Sequence, residues 1–211
     1  MPQFWKEYPL IAEDLEQVKQ VMKESLATLD PILTPTLSNL LQRNGKMLRP
    51  AFVLLGARSK PYKSKPSKKG WYPPQKTLPE KIYRIAAAVE ILHLATLIHD
   101  DIIDRAQTRR GAPTVNSEIG ERNAVLTGDF LFSRCFALVA DYATMENARY
   151  LALGVSHICQ SEIAQSRRFD LTTLSVRNYL HRIIGKTALL FSLSLFVGGA
   201  EMKAPPEYCT L

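Results

Sequence analysis

One long apolar segment, from about Glu80 to Arg105, constrains this chain more than any other feature. Its stretch Ile85 through Ile98 runs directly into His99-Asp100-Asp101-Ile102-Ile103-Asp104-Arg105, which sets three carboxylates at the edge of a hydrophobic core. Most of the remaining chain also reads as helix. Leu15, Val18, Val21 or Met22, and Leu26 recur every three to four residues, with Glu13, Glu16, Lys19 and Lys23 outward, the pattern of an amphipathic helix. Pro31 and Pro35 then interrupt the chain, and a second run passes through Leu37, Leu40 and Leu41. A short apolar helix is predicted at Ala51 to Ala57, and further helices at about 119–140, 145–166, 175–185 and 187–198. Gly198-Gly199 is the predicted stop of the last one. No stretch shows sustained strand alternation. The fold class is all-α, a helical bundle with a central cavity.

The chain has 211 residues, enough to bury a core in one domain, residues 1–211. Its net charge of +7 is unevenly placed, because seven lysines and a single acid, Glu80, lie between Ser59 and Lys81. Five prolines in that segment exclude a long helix. We read it as a basic loop insertion at about 59–80, a solvated connection with at most peripheral membrane contact and no nucleic-acid role. The three cysteines, Cys135, Cys159 and Cys209, are too sparse for a disulfide framework. A cytoplasmic setting is expected. The longest uncharged apolar stretch, Thr187 to Ala200, is short of the roughly 20 residues that span a bilayer.

The chemistry concentrates at the end of the long helix. Asp100 and Asp104 are four residues apart and share one face, while Asp101 points about 100° away. Carboxylates so placed repel each other and call for a cation, and hard oxygen ligands suit Mg²⁺, which takes one or two carboxylates plus water and phosphate oxygens. Thr108-Arg109-Arg110-Gly111 follows, two guanidiniums whose planar forks fit paired phosphate oxygens. Gly45-Lys46-Met47-Leu48-Arg49-Pro50 supplies another lysine and arginine at a helix start. Acids beside two separate cationic clusters suggest a site for two phosphate-bearing groups, one bound through metal and one through cations.

These blocks resemble the trans-isoprenyl (polyprenyl) diphosphate synthases, and among them the long-chain bacterial, heptaprenyl-type synthases. The matching segments, in family order, are Gly45 to Pro50, Glu90 to Asp104, Thr108 to Gly111, Thr127-Gly-Asp-Phe-Leu-Phe132 and Gly185-Lys-Thr-Ala188. The resemblance implies an isoprenoid-synthase-type bundle that condenses isopentenyl diphosphate with an allylic diphosphate. It implies Mg²⁺ on Asp100, Asp101 and Asp104, and allylic diphosphate contacts from Arg109 and Lys186. Isopentenyl diphosphate is then expected on Lys46, Arg49, His93 and Arg110. A homodimer through the helix containing Gly128 to Phe132 is expected, a heteromer being the other arrangement. A product growing from Asp100 would pass Ala95 and Thr96 one turn earlier on the helix. Both are small, so a product longer than farnesyl is expected.

The family also carries a second aspartate-rich motif after a Gly-x-x-Phe-Gln block, and this sequence has neither. The reading is therefore a C-terminally truncated bundle, the N-terminal portion of a prenyl synthase. The alternative is a catalytically impaired or regulatory subunit that binds isoprenoid diphosphates, alone or with a partner chain.

Overall fold

The computed structural model describes residues 3–43, 45–59, 77–166 and 187–204. The lysine-rich loop, the helix expected at 175–185, and Lys186 lie outside the described residues.

A 3₁₀ turn, Gln3–Glu7, leads into α1, Pro9–Ser25, which starts on a proline whose missing N–H costs nothing there. The buried face of α1 is Ile11, Leu15, Val18, Val21 and Met22, as the spacing predicts. Asp30 accepts hydrogen bonds from the backbone N–H groups of Ile32 and Leu33 at 2.9 and 2.8 Å and so opens α2, Leu33–Gln42. Pro35 sits within the first turn of α2 instead of breaking the chain, because no intrahelical bond is owed at that position. By the same logic Pro50 falls inside the first turn of α3, Leu48–Arg58, which is longer than the Ala51–Ala57 segment expected.

Helix α4, Glu80–Ile103, is the axis of the bundle. α1, α3, α6, Glu121–Tyr142, and α8, Leu189–Glu201, all pack on it, as does the short α5, Val115–Ile119. α7, Met145–Ser166, lies against α8 and α6. Ile82, Ile85, Ala86 to Ala88 and Ile91 of α4 have no exposed surface, so this helix is apolar on nearly every side because neighbours surround it. Both α4 and α6 are long and apolar enough to cross a membrane by length and composition, and α4 is 67% buried among its own neighbours over that window.

The polar segment expected between α4 and α6 contains a two-stranded ribbon, β1, Thr108–Arg109, paired antiparallel with β2, Ala112–Pro113. Its turn residues, Arg110 and Gly111, have φ values of 51° and 79°. Two positive φ angles in a two-residue hairpin make the tight turn that matches strand twist, which glycine permits freely.

The expected stop of the last helix is also corrected. Gly198 and Gly199 do not end α8, which continues to Glu201. Gly198 is the crossing point of α8 on α3, where a Cβ would overlap the Val53 carbonyl. The missing side chain serves close helix approach, not a cap.

Candidate functional site

The first cationic block is shaped before any ligand arrives. Met47, with φ 52° and ψ 36°, stands in the left-handed region at the start of α3. Its side chain is buried in the core, 2% exposed, which holds the bend and turns Lys46 and Arg49 toward α4. Arg49 stacks its guanidinium on the Phe191 ring of α8, 4.7 Å from the ring centre. Arg110 approaches the same block from the hairpin, where its Nη1 lies 3.7 Å from the place a Cβ on Gly45 would take.

α4 contributes Glu90, His93 and Asp101, spaced so that all three line a cavity of about 420 Å³ together with Lys46, Arg49, Arg109 and Arg110. The apolar part of its wall includes Met22, Leu40, Leu41, Leu94, Leu97 and Ile98. Burial and, after it, the positive fields of Arg49, Arg110 and Arg109 push His93 down to about 3. It is therefore a neutral imidazole at ordinary pH, able to donate one hydrogen bond without adding charge. Burial raises Glu90 to about 7 against the pull of Arg49, and its Oε2 is buried without a hydrogen-bond partner. Burial also lowers Arg49 from its usual value, and its Nε has no partner either. Unsatisfied buried polar atoms are costly in a folded protein, and here they belong to the wall of a cavity.

The acids at the end of α4 divide as helix geometry requires. Asp101 is buried and accepts a 2.8 Å hydrogen bond from Arg109 Nε. Asp100 is half-buried, Asp104 is the exposed residue that closes the helix, and neither lines the cavity. Carboxylates at a helix C-terminus meet the negative end of its dipole, so this end of α4 favours a cation. Among the described residues no three His, Cys, Asp or Glu side chains form a metal cluster by themselves. Two carboxylates with phosphate oxygens and water completing the shell is the ordinary manner of Mg²⁺, and the residues present fit it. Ala95 has no exposed surface, and Thr96 donates its hydroxyl to the His93 carbonyl at 2.8 Å. A separate small cleft lies between α4, α6 and α7, lined by Val89, Leu92, Cys135, Phe136 and Leu151 among others.

Sequence reasoning missed two wall residues. Glu90 stands three residues before His93, on the same helix face, which is a legible signal. Arg43 carries none: it holds the hairpin by donating to the Pro113 carbonyl at 2.5 Å and to Glu118 at 2.6 Å, contacts that only the fold creates.

A sequence profile described as Polyprenyl synthetase matches residues 30–210. This chain belongs to the polyprenyl synthetase family. It is 34% identical over 201 residues to heptaprenyl diphosphate synthase component 2 of Geobacillus stearothermophilus, an alignment covering 94% of this chain and 57% of that protein. The crystal structure of geranylgeranyl pyrophosphate synthase from Lactobacillus brevis superposes with a TM-score of 0.85 at 31% identity, covering 98% of this chain and 60% of that one. A polyprenyl synthase from Caulobacter crescentus, crystallised with calcium and isoprenyl diphosphate, gives a TM-score of 0.82 at 28% identity, covering 95% of this chain and 57% of that one. The chain thus spans somewhat more than half the length of these family members. The isoprenoid-synthase bundle expected from the sequence is the fold they share with it.

Proposed function

We propose that this polyprenyl synthetase chain binds isopentenyl diphosphate in the cavity and condenses it with an allylic diphosphate to make a polyprenyl diphosphate. The observation that carries the reading is the convergence of Lys46, Arg49, His93, Arg109 and Arg110 on one cavity beside the acidic end of α4. Four cations and a neutral donor suit a diphosphate, and the apolar wall suits the hydrocarbon attached to it.

In this reading Lys46, Arg49, His93 and Arg110 hold isopentenyl diphosphate and aim its double bond. Arg109, anchored by Asp101, and Lys186, outside the described residues, share the allylic diphosphate. Asp100 and Asp104, with Asp101 alongside, would hold Mg²⁺, which when bound would neutralise the leaving group's charge. The allylic C–O bond breaks heterolytically, the double bond of isopentenyl diphosphate forms the new C–C bond, and released diphosphate takes the proton that restores an alkene. Leu94, Leu97 and Ile98 keep water from the cation. The small side chains of Ala95 and Thr96, one turn before Asp100, are the basis for proposing a product longer than farnesyl.

We further propose a homodimer through α6, supported by the exposed Val125, Leu126 and Phe136 on that helix. A cytoplasmic setting is proposed with it, consistent with the free thiols of Cys135 and Cys159.

The test is transfer of label from isopentenyl diphosphate into hydrocarbon-extractable product, with an allylic diphosphate and Mg²⁺ present. Metal-dependent transfer supports the reading. Saturable binding of both diphosphates without transfer would instead identify a binding subunit.

A further inference from the structure

The strongest unexplained contact to the cavity comes from the chain's first turn. Trp5 is 6% exposed and donates its indole Nε1 to the Lys46 backbone carbonyl at 2.7 Å, across 41 residues of sequence. Phe4 and Tyr8 flank the indole at ring separations of 4.2 and 6.4 Å and fix its plane. Trp5 lies ahead of the region that the family profile matches, residues 30–210.

The carbonyl it holds belongs to the residue just before Met47, which sits at φ 52°. A left-handed backbone at a non-glycine residue persists only where its surroundings over-determine it. Met47 is secured on its own side by burial of its side chain. The peptide preceding it is secured by Trp5 alone among the described hydrogen bonds to that carbonyl. Rotation of this peptide would swing Lys46, whose side chain is exposed at the cavity mouth, away from Arg49 on the first turn of α3.

We propose that Trp5 is a positioning residue for diphosphate binding, acting through Lys46. The inference rests on the diphosphate-binding reading of the cavity. An indole is suited to this role because it has one donor and no acceptor, so it fixes the carbonyl in a single sense. The first turn of the chain thereby forms part of the substrate site without touching the substrate.

The experiment compares wild type with Trp5→Phe, which keeps an aromatic ring and removes the N–H. Affinity for isopentenyl diphosphate is measured by calorimetry and fold stability by thermal unfolding. The expected result is about three- to tenfold weaker binding, and Lys46→Ala should weaken binding by a smaller factor in the Trp5→Phe background than in wild type. Equal affinity in the two proteins overturns the proposal and leaves the cavity reading intact, whereas absence of binding by wild type overturns both. A second measurement does not depend on how Trp5→Phe folds. In the Trp71→Phe chain, Trp5 is the sole tryptophan, and its indole ¹H–¹⁵N resonance should shift saturably as inorganic pyrophosphate is added. An indole resonance that stays fixed while pyrophosphate binds overturns the proposal.

Discussion

Arg109 Nε donates to Asp101 Oδ1 at 2.8 Å, joining the exposed hairpin to the buried face of the acidic helix end. The Asp101 side chain is 8% exposed and that of Arg109 39%. A buried carboxylate left without its partner is costly, so the pair fixes where the hairpin sits as well as balancing charge. Arg109→Ala should lower stability by about 1–3 kcal/mol, read from the urea midpoint. Combined with Asp101→Asn, the loss should be less than the sum of the single losses. Strict additivity would deny the coupling.

Glu90 gives a pH signature. Burial holds its folded value at about 7, above the ordinary 4.5, so the fold binds this proton more tightly than the unfolded chain does. The stability it contributes is fully present below about pH 4.5 and is lost as pH rises through about 7. Glu90→Gln mimics the protonated form. It should exceed wild type in stability above pH 7, by about 3 kcal/mol, with the gap closing toward pH 4.5. His93 runs oppositely: its folded value is lowered to about 3, so its contribution is present above about 6.5 and fades as pH falls. Because both proteins keep His93, the difference between their unfolding curves reports Glu90.

The crossing of α3 and α8 allows a test of packing. Gly198→Ala places a methyl against the Val53 carbonyl, and the helices must separate. A loss of about 1–3 kcal/mol is expected, measured by denaturant unfolding, with Arg49 displaced from the Phe191 ring it stacks on. An unchanged midpoint would show that the contact is soft.

That glycine marks where the sequence stops being legible. Apolar spacing predicts α1, and the run of Ile85 to Ile98 predicts the central helix, because both patterns follow from local helix geometry. The cation blocks and the acidic end of α4 were readable as partners from their chemistry, and the fold brings Lys46, Arg49, His93, Arg109 and Arg110 to one cavity. Gly198 is ambiguous in sequence because a cap and a helix crossing ask for the same missing side chain. Arg43 and Trp5 are silent for another reason: each donates to a backbone carbonyl, of Pro113 and Lys46, which carries no sequence signature. The left-handed Met47 is likewise invisible, since its bend is imposed by the core around it.

Ala95 has no exposed surface on the central helix, one turn before the acidic end. Ala95→Phe should shorten the products resolved by reversed-phase chromatography, because a ring there crowds the path along α4. An unchanged length distribution would remove Ala95 from the chain-length account.

Calorimetric titration of isopentenyl diphosphate checks the proposed role of the cation-lined cavity. Wild type should bind saturably at one site per chain. Arg49→Ala and Arg110→Ala should each weaken binding by about tenfold or more, with the helical circular dichroism unchanged. Absence of binding by wild type, or wild-type affinity retained in both variants, would contradict this role for the cavity.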